Sequence, residues 1–297
     1  AAPVLDAVDL FVGAEGTLGA IGEVELALVP APAAWFGGLA FFPTEESALD
    51  FVRLVRDERP ADAAACRPAV LEYFDRAALD LADRSGRRRE IGLPAMPHEA
   101  GAAVYFEQGC GADELETLFA AYDRVLAMCG SSADAVWSAL EEREQAKLKS
   151  LRHLVPEEVN RLVAENRRHC PAIHKVGTDL SVPNAALEAL VRAYRTRLAE
   201  EGIPAVVFGH LGENNLHVNM LPRDEEELGR AKALHREWAS LAVSLGGTVA
   251  AEHGIGRLKG ELLHLLYGPG ELAQMAAVKR ALDPGGILNP GHVLSNP

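Results

Sequence analysis

The sequence is poor in basic side chains and in long apolar runs, and each shortage excludes a class of protein. Lysine and arginine together number 29 against 43 aspartates and glutamates, which gives a formal net charge of −14. A surface this acidic repels phosphate backbones and anionic lipid, so we expect no nucleic-acid partner. Runs of about 18 apolar residues are missing, and we therefore expect no membrane-spanning helix.

Cysteine is also scarce, and its spacing excludes a disulfide framework. The four cysteines are scattered and form no CxxC pair: Cys66, Cys110, Cys129 and Cys170. We expect free thiols in a reducing compartment. Because no signal peptide is visible either, we expect a cytoplasmic protein, with peripheral attachment to the inner membrane as the alternative.

The apolar residues that are present, 48% of the chain, are enough to bury a large core and predict an α+β fold. Strand-like segments such as WFGGLAFFP, PAVLEYFD and AAVYFEQG alternate with amphipathic helices, and a similar order follows from HKVGTDLSVP to TVAAEHGIG. We expect an antiparallel sheet with helices on one face, in two ferredoxin-like halves. Alternation in IGEVELALVP predicts one further strand, and Thr44 is expected to cap the first helix.

The segment FGHLGENNLHVNM contains two histidines, His210 and His217, seven positions apart. On one unbroken strand these side chains point to opposite faces. If the turn formers GENN make a hairpin loop, His210 lies directly opposite His217, and both rings can reach one metal ion. Asn219 then shares their face. The alternative is that both histidines are ordinary polar residues at the edge of a loop.

The segment TVAAEHGIGRLK carries a carboxylate and an imidazole beside two glycines. Glu252 at the end of a strand suits a third ligand, which gives a His₂Glu set with positions left for water or substrate. His253 next to it suits a general base, because histidine side chains in general exchange protons near working pH. The simpler interpretation makes Glu252 a partner of a helix N-terminus and His253 a surface residue. His₂Glu alone does not separate zinc from manganese or iron.

Four motifs together resemble one family. In order, VGAEGTLGAIGEVELALVP, FGHLGENNLHVNM, AEHGIGRLKGELL and VKRALDPGGILNPGHVL resemble the C-terminal two thirds of FAD-linked D-2-hydroxy acid dehydrogenases. This group, within the vanillyl-alcohol oxidase superfamily, includes D-lactate and D-2-hydroxyglutarate dehydrogenases and the catalytic subunit of glycolate oxidase. The resemblance implies oxidation of a small D-2-hydroxy acid by hydride transfer to FAD.

The resemblance also implies roles for particular residues. His210, His217 and Glu252 correspond to the ligands of a divalent metal, usually taken as zinc, and His253 to the residue that deprotonates the substrate hydroxyl. The implied substrate contacts are Arg152, Lys175 and Asn219, and the implied flavin-side contacts are Glu15, Gly16, Gly19 and Asn289.

The sequence departs from the family in three places. Glu213-Asn214-Asn215 stands where relatives read Asp-Gly-Asn, and Pro156 stands where some relatives carry a substrate-binding threonine, so substrate specificity does not transfer. The glycine-rich pyrophosphate loop of the FAD domain is missing. We therefore expect a C-terminal portion that binds FAD weakly by itself.

The expected organisation follows from this resemblance. Residues 1–30 are expected to be the edge of an FAD domain, 31–265 a substrate domain with a helical insertion at about 133–168, and 266–297 a helix and tail that return to the FAD domain. Expected partners are the hydroxy acid and an electron acceptor, which is a quinone, a cytochrome or an electron-transfer flavoprotein. A homodimer also remains open.

Two other functions are compatible with the same residues. A metal-dependent hydrolase can use a His₂Glu site to activate water, although the sequence has no HExxH motif. A non-catalytic domain that docks a separate flavoprotein subunit is the other alternative. Flavin absorbance of the longer protein and its bound metal content distinguish the three.

Overall fold

The computed structural model describes residues 6–111 and 113–294, and the chain forms two compact units. Unit 1 consists of Ala1–Val29, Asp179–Val182 and Arg236–Pro297. Unit 2 consists of Pro30–Thr178 and Pro183–His235. Unit 2 begins at Pro30 and ends at His235, and the substrate domain expected at residues 31–265 stays a prediction.

Unit 2 is built on a seven-stranded sheet in the order β4-β1-β3-β2-β6-β7-β5. Neighbouring strands pair antiparallel along the described sheet. The strands are β1 Ala34–Phe42, β2 Val70–Asp75, β3 Ala102–Cys110, β4 Val136–Ala139, β5 Val176–Gly177, β6 Ala205–His210 and β7 Asn215–Met220. This confirms the predicted combination of helices with an antiparallel sheet.

The helices connect these strands in a pattern that repeats. They are α1 Glu45–Arg53, α2 Arg76–Arg84, α3 Gly86–Ile91, α4 Leu115–Met128, α5 Glu142–His169, α6 Leu187–Glu201, α7 Glu225–Ser244, α8 Leu263–Leu266 and α9 Pro269–Leu282. From β1 to β4 the chain follows the βαββαβ order of a ferredoxin-like half, with α2 and α3 inserted between β2 and β3, and from β5 to α7 the order is βαββα. Pairing of β2 with β6 joins the two halves into one sheet.

Helices cover both faces of the first half of the sheet, whereas one helical face was expected. On one face Phe42 packs on Phe51 of α1, with ring centroids 5.2 Å apart. On the other, Leu39 and Tyr105 share a buried cluster with side chains of α2 and α5. The cause is visible in β1, which is buried at seven consecutive positions and so needs apolar cover on both faces.

Several helices begin or end at the residues predicted from the sequence. Thr44 Oγ1 accepts from the Ser47 amide at 3.2 Å, which confirms the predicted cap of α1. Gly202 adopts a positive φ of 64° after α6, and Asp283 ends α9.

Two segments differ from the sequence prediction. Residues 133–168 were expected to be a helical insertion, but their first part is β4, which pairs with β1 and completes the first half. Residues 21–30 alternate like a strand, yet they form no strand and Leu28 is 90% exposed. Alternation needs a neighbouring strand to pair with, and no residue that the structure describes pairs with this segment.

Unit 1 holds its N-terminal turn and C-terminal tail together through Lys279. The buried ammonium donates to the Thr17 carbonyl at 2.7 Å and to the Leu288 carbonyl at 2.8 Å, and it pairs with Asp283. Among the described residues, no helix is long and apolar enough to cross a membrane. All four cysteines are free thiols, as predicted.

Candidate active site

The two histidines of FGHLGENNLHVNM lie on adjacent strands, but in a register different from the one predicted. His210 was expected to lie opposite His217, whereas Phe208 pairs with His217 and His210 pairs with Asn215. The turn is a single 3₁₀ turn, Leu211–Glu213, followed by Asn214 in the left-handed conformation. Because the offset is two residues, both rings keep the same face of the sheet. Their centroids are 5.6 Å apart.

The turn between the histidines is held by Arg56, which sequence reasoning missed. Its guanidinium donates to the Asn214 side-chain oxygen at 2.6 Å and to the carbonyls of Leu211 and Gly212 at 3.1 and 3.2 Å. The Asn214 amide donates in turn to Asn184. Asn214 has φ +55°, so asparagine does adopt the conformation for which relatives use glycine.

Both imidazoles are oriented by oxygen atoms at Nδ1. His210 Nδ1 lies 2.7 Å from Glu72 Oε1, and His217 Nδ1 lies 3.0 Å from the Thr178 carbonyl. A carbonyl or carboxylate oxygen can only accept here, so Nδ1 carries the proton and the lone pair of each neutral ring is at Nε2. This arrangement is typical of metal-binding histidines. The pair therefore fits two ligands of a divalent ion.

Glu72 connects one of these histidines to the arginine that the resemblance assigns to substrate binding. It lies on β2 directly opposite His210 and is only 5% exposed. Its Oε1 accepts from His210 Nδ1 and also lies 2.5 Å from the Arg152 guanidinium, which α5 supplies. Sequence reasoning missed Glu72, although a carboxylate in the apolar strand PAVLEYFD was a usable signal.

Lys175 and Asn219 meet beside Gly177. Asn219 is 2% exposed, pairs with Gly177, and donates to the His217 carbonyl at 3.1 Å. A Cβ at Gly177 would lie 3.4 Å from Asn219 Oδ1 and 3.7 Å from Lys175 Cε. Although Lys175 is exposed as a whole, desolvation by the surrounding protein lowers the pKa of its ammonium.

Unit 2 thus brings together five residues singled out from the sequence. They lie around one face of its sheet and are Arg152, Lys175, His210, His217 and Asn219. Two cations and two imidazoles in one region can bind an anion and a metal ion side by side. This matters in a chain with a net charge of −14, because anionic ligands bind only where positive charge is concentrated.

The other predicted ligand and the predicted base, Glu252 and His253, belong to unit 1. The expected strand before them is reduced to one bridge between Thr248 and Ser181, and residues 250–253 form an irregular segment. Hydrogen bonds to a carboxylate replace the missing strand pairing. Within this segment, His253 Nε2 lies 3.0 Å from Glu252 Oε1.

Asp179 fixes the backbone of this pair. Its carboxylate accepts from the amides of Glu252 and His253 at 3.2 and 3.1 Å and pairs with Lys259 Nζ at 2.6 Å. Desolvation opposes its charge, but the Lys259 ammonium and the two amide donors outweigh it and lower the pKa of Asp179. No feature of the sequence predicted this role.

The residues assigned to the flavin side also lie in unit 1. Glu15 and Gly16 form a turn with positive φ values of 51° and 70°. The Glu15 carboxylate accepts from the amides of Ile255 and Gly256 at 2.6 and 2.8 Å, and its carbonyl accepts from Asn289 at 2.6 Å. These bonds tie Glu15 to its own chain. A contact of this turn with flavin stays a prediction.

A cavity of about 840 Å³ in unit 1 adjoins these residues. It is lined by apolar side chains such as Leu10 and Met275 and by the polar Asn289. Gly19 is not one of the residues that line the cavity. A Cβ at Gly19 would lie 3.3 Å from the Phe11 ring. A mostly apolar cavity with a few polar groups suits a large organic ligand.

Comparison with known proteins decides the family. Residues 36–293 match the family described as FAD linked oxidases, C-terminal domain. The chain belongs to this family. It is 30% identical over 293 residues to glycolate oxidase subunit GlcD of Bacillus subtilis, covering 98% of this chain and 57% of that protein.

Other relatives of this FAD-linked oxidase domain carry related names. It is 27% identical to a probable mitochondrial D-lactate dehydrogenase of Danio rerio, covering 96% of this chain and 53% of the relative. It is also 27% identical to a D-2-hydroxyglutarate dehydrogenase of Stutzerimonas stutzeri, covering 96% and 58%. The chain therefore spans little more than half the length of these curated relatives. The resemblance predicted from the four motifs is confirmed.

Solved structures share the fold at low identity. 4-Ethylphenol oxidase from Gulosibacter chungangensis matches with a TM-score of 0.57 at 15% identity, over 92% of this chain and 56% of that one. p-Cresol methylhydroxylase matches with a TM-score of 0.56 at 14% identity, over 91% and 54%. These values establish the fold alone.

Proposed function

We propose that this chain is the substrate- and metal-binding part of an FAD-dependent oxidoreductase that converts a D-2-hydroxy acid to the 2-oxo acid. Family membership supports the flavin, and the names of the relatives support the substrate class. The observation that carries the proposal is the shared Glu72 oxygen, which joins His210 to Arg152. It sets a metal-binding group beside an anion-binding group, and a 2-hydroxy acid needs both.

Arg152 and Lys175 bind the substrate carboxylate in this proposal. Arg152 offers five donors, so it can hold Glu72 and a ligand carboxylate at once. Lys175 has a lowered pKa through desolvation, and an incoming carboxylate stabilises its charged form. Asn219 lies beside Lys175 and orients the bound acid.

In this proposal His210 and His217 would hold the metal ion, and the resemblance to the family implies Glu252 as a further ligand. A divalent ion held there would supply Lewis-acid chemistry to the substrate hydroxyl, and FAD would supply the hydride acceptor. His253 takes the hydroxyl proton at Nδ1, because Nε2 faces Glu252 Oε1 at 3.0 Å. That carboxylate stabilises the imidazolium that results.

The remaining partners follow from this chemistry. Glu15, Gly16, Gly19 and Asn289 form the flavin-side edge of unit 1. Electrons then leave for a quinone, a cytochrome or an electron-transfer flavoprotein, and we propose a cytoplasmic location for the reaction.

The full-length protein provides the test. Anaerobic bleaching of its flavin absorbance is measured with D-lactate, D-2-hydroxyglutarate, glycolate and D-malate, and the L-enantiomers serve as controls. We expect bleaching by at least one D-acid or glycolate, and its loss in His253→Ala. A full-length flavoprotein that none of the four acids reduces contradicts the proposal, as does near-normal turnover of His253→Ala.

A further inference from the structure

We infer that Glu72 is a positioning residue that fixes the metal-binding form of His210 and, through the same oxygen, the position of Arg152. The inference rests on the proposed function of this site. It goes beyond it in assigning a role to a residue that contacts neither the substrate nor the metal in that proposal.

The geometry places Glu72 between the two groups. Its strand, β2, is the partner of β6 at the junction of the two halves of the sheet, and Glu72 pairs directly with His210. Directly opposed residues share a face, so the carboxylate needs no unusual rotamer to reach the ring. Arg152 reaches the same Oε1 from α5, which crosses this face.

The buried carboxylate of Glu72 needs both of its partners to offset the cost of its burial. Glu72 is 5% exposed, and a buried carboxylate is costly unless it is paired and hydrogen-bonded. Arg152 supplies the opposite charge, and His210 Nδ1 supplies a further donor. Removing the negative charge therefore leaves Arg152 without its compensating partner and His210 without the acceptor that holds the proton at Nδ1.

Two consequences follow for binding. Loss of a carboxylate that orients a metal-binding histidine typically costs about 10–100-fold in metal affinity. Arg152 would also lose its fixed position, which weakens binding of the substrate carboxylate. Both effects arise from one substitution because one oxygen contacts both groups.

A neighbouring carboxylate gives a matched control. Glu107 lies on β3 on the same face of the sheet, and its side chain is 12% exposed. Lys149 of α5 pairs with it at 3.0 Å, and Tyr105 donates to it, but within the described part of the chain no hydrogen bond or ion pair joins Glu107 to a histidine. Glu107→Gln thus removes an equivalent charge from the same surface and leaves His210 and Arg152 as they are.

The experiment uses full-length wild-type protein, Glu72→Gln and Glu107→Gln, each stripped of metal. Zn²⁺ affinity is measured by titration calorimetry, and the tautomer of His210 by NMR of ¹⁵N-histidine, with the signal assigned by His210→Gln. Steady-state kinetics give KM and kcat. Circular dichroism checks the fold, and Glu72→Asp replaces Glu72→Gln if the latter does not fold.

For Glu72→Gln we expect Zn²⁺ affinity to fall about 10–100-fold, the Nδ1-protonated signal of His210 to change, and KM to rise. Glu107→Gln should match the wild type. Unchanged Zn²⁺ affinity and an unchanged His210 signal in Glu72→Gln overturn the inference. If the wild type itself binds no Zn²⁺, the proposed function fails, and the His210 signal alone then decides the inference.

Discussion

Arg56 and Asn214 are 158 positions apart in the sequence, and the Arg56 guanidinium donates to the Asn214 side-chain oxygen at 2.6 Å. This bond holds the left-handed residue that closes the turn between His210 and His217. An asparagine at positive φ, stabilised from a distant helical turn, here replaces the conformational freedom of glycine.

Replacing Arg56 by methionine should therefore loosen the histidine turn. The substitution removes the three hydrogen bonds that the guanidinium donates to the turn, and we expect a loss of about 1–3 kcal/mol in the free energy of unfolding together with weaker Zn²⁺ binding. Urea unfolding measures the first and titration calorimetry the second. Arg53→Met is the control, because Arg53 pairs only with exposed carboxylates nearby. Equal losses in both variants would refute a special role for Arg56.

Gly209 should resist substitution because the His217 ring lies against it. Its φ is +138°, and a Cβ would lie 2.8 Å from His217 Cδ2 and 2.8 Å from the Asn215 carbonyl. We expect Gly209→Ala to destabilise the protein by about 1–3 kcal/mol and to reduce Zn²⁺ affinity. Gly229→Ala, in open space on α7, should be neutral or stabilising by up to about 1 kcal/mol. Thermal unfolding of the two variants compares them, and a stable Gly209→Ala that binds zinc normally would contradict this account.

Asp179 should make the free energy of unfolding depend on pH in the acid range. Its folded-state pKa is lowered from 3.8, so its contribution is complete above that value and is lost as the pH falls through the lower folded value. We expect Asp179→Asn to be less stable than the wild type at pH 7, with a gap that narrows below pH 3.8. Asp80→Asn, at a half-exposed ion pair with Arg76, should change little. Denaturant midpoints of the wild type and the variants across this pH range test the prediction. A stability difference between the wild type and Asp179→Asn that does not change with pH would contradict this role of Asp179.

Lys175 should control substrate binding more than stability. We expect Lys175→Met to raise KM for the hydroxy acid with a smaller change in kcat, since it removes the charge that we propose binds the substrate carboxylate. In the wild type, KM should begin to rise with pH below 10.5, because desolvation lowers the pKa of Lys175 from that value. Lys147→Met, which loses only an ion pair with Glu144, is the control. Initial-rate kinetics across pH test both points, and an unaltered KM in Lys175→Met would exclude the role.

Much of the site could be predicted from local sequence, but the residues that hold the two histidines in place could not. The turn formers of GENN correctly indicated a hairpin that turns both histidines to one face. The register differed by two residues because the four-residue loop begins at Leu211 rather than at Gly212, and turn-forming residue types do not determine which of the two positions begins the loop. Glu72 and Arg56 are 138 and 158 positions from the residues they hold, so only the folded sheet brings them together.

The segments whose structure differed most from the prediction lacked a neighbouring strand to pair with. Residues 21–30 alternate as a strand should, but alternation describes only a chain's two faces and says nothing of a neighbour to pair with. Around Glu252 and His253, hydrogen bonds to Asp179 stand where a strand was expected, because a side-chain carboxylate satisfies the same backbone amides.

The central claim is that His210 and His217 hold a metal ion required for oxidation of a 2-hydroxy acid. The most direct test is the rate of anaerobic flavin reduction in the full-length protein, measured with its best acid before chelation, after chelation and after Zn²⁺ is restored. The account predicts that chelation abolishes reduction in the wild type, that Zn²⁺ restores it, and that His217→Gln does not recover. Reduction at the same rate throughout, with flavin still bound, would contradict it.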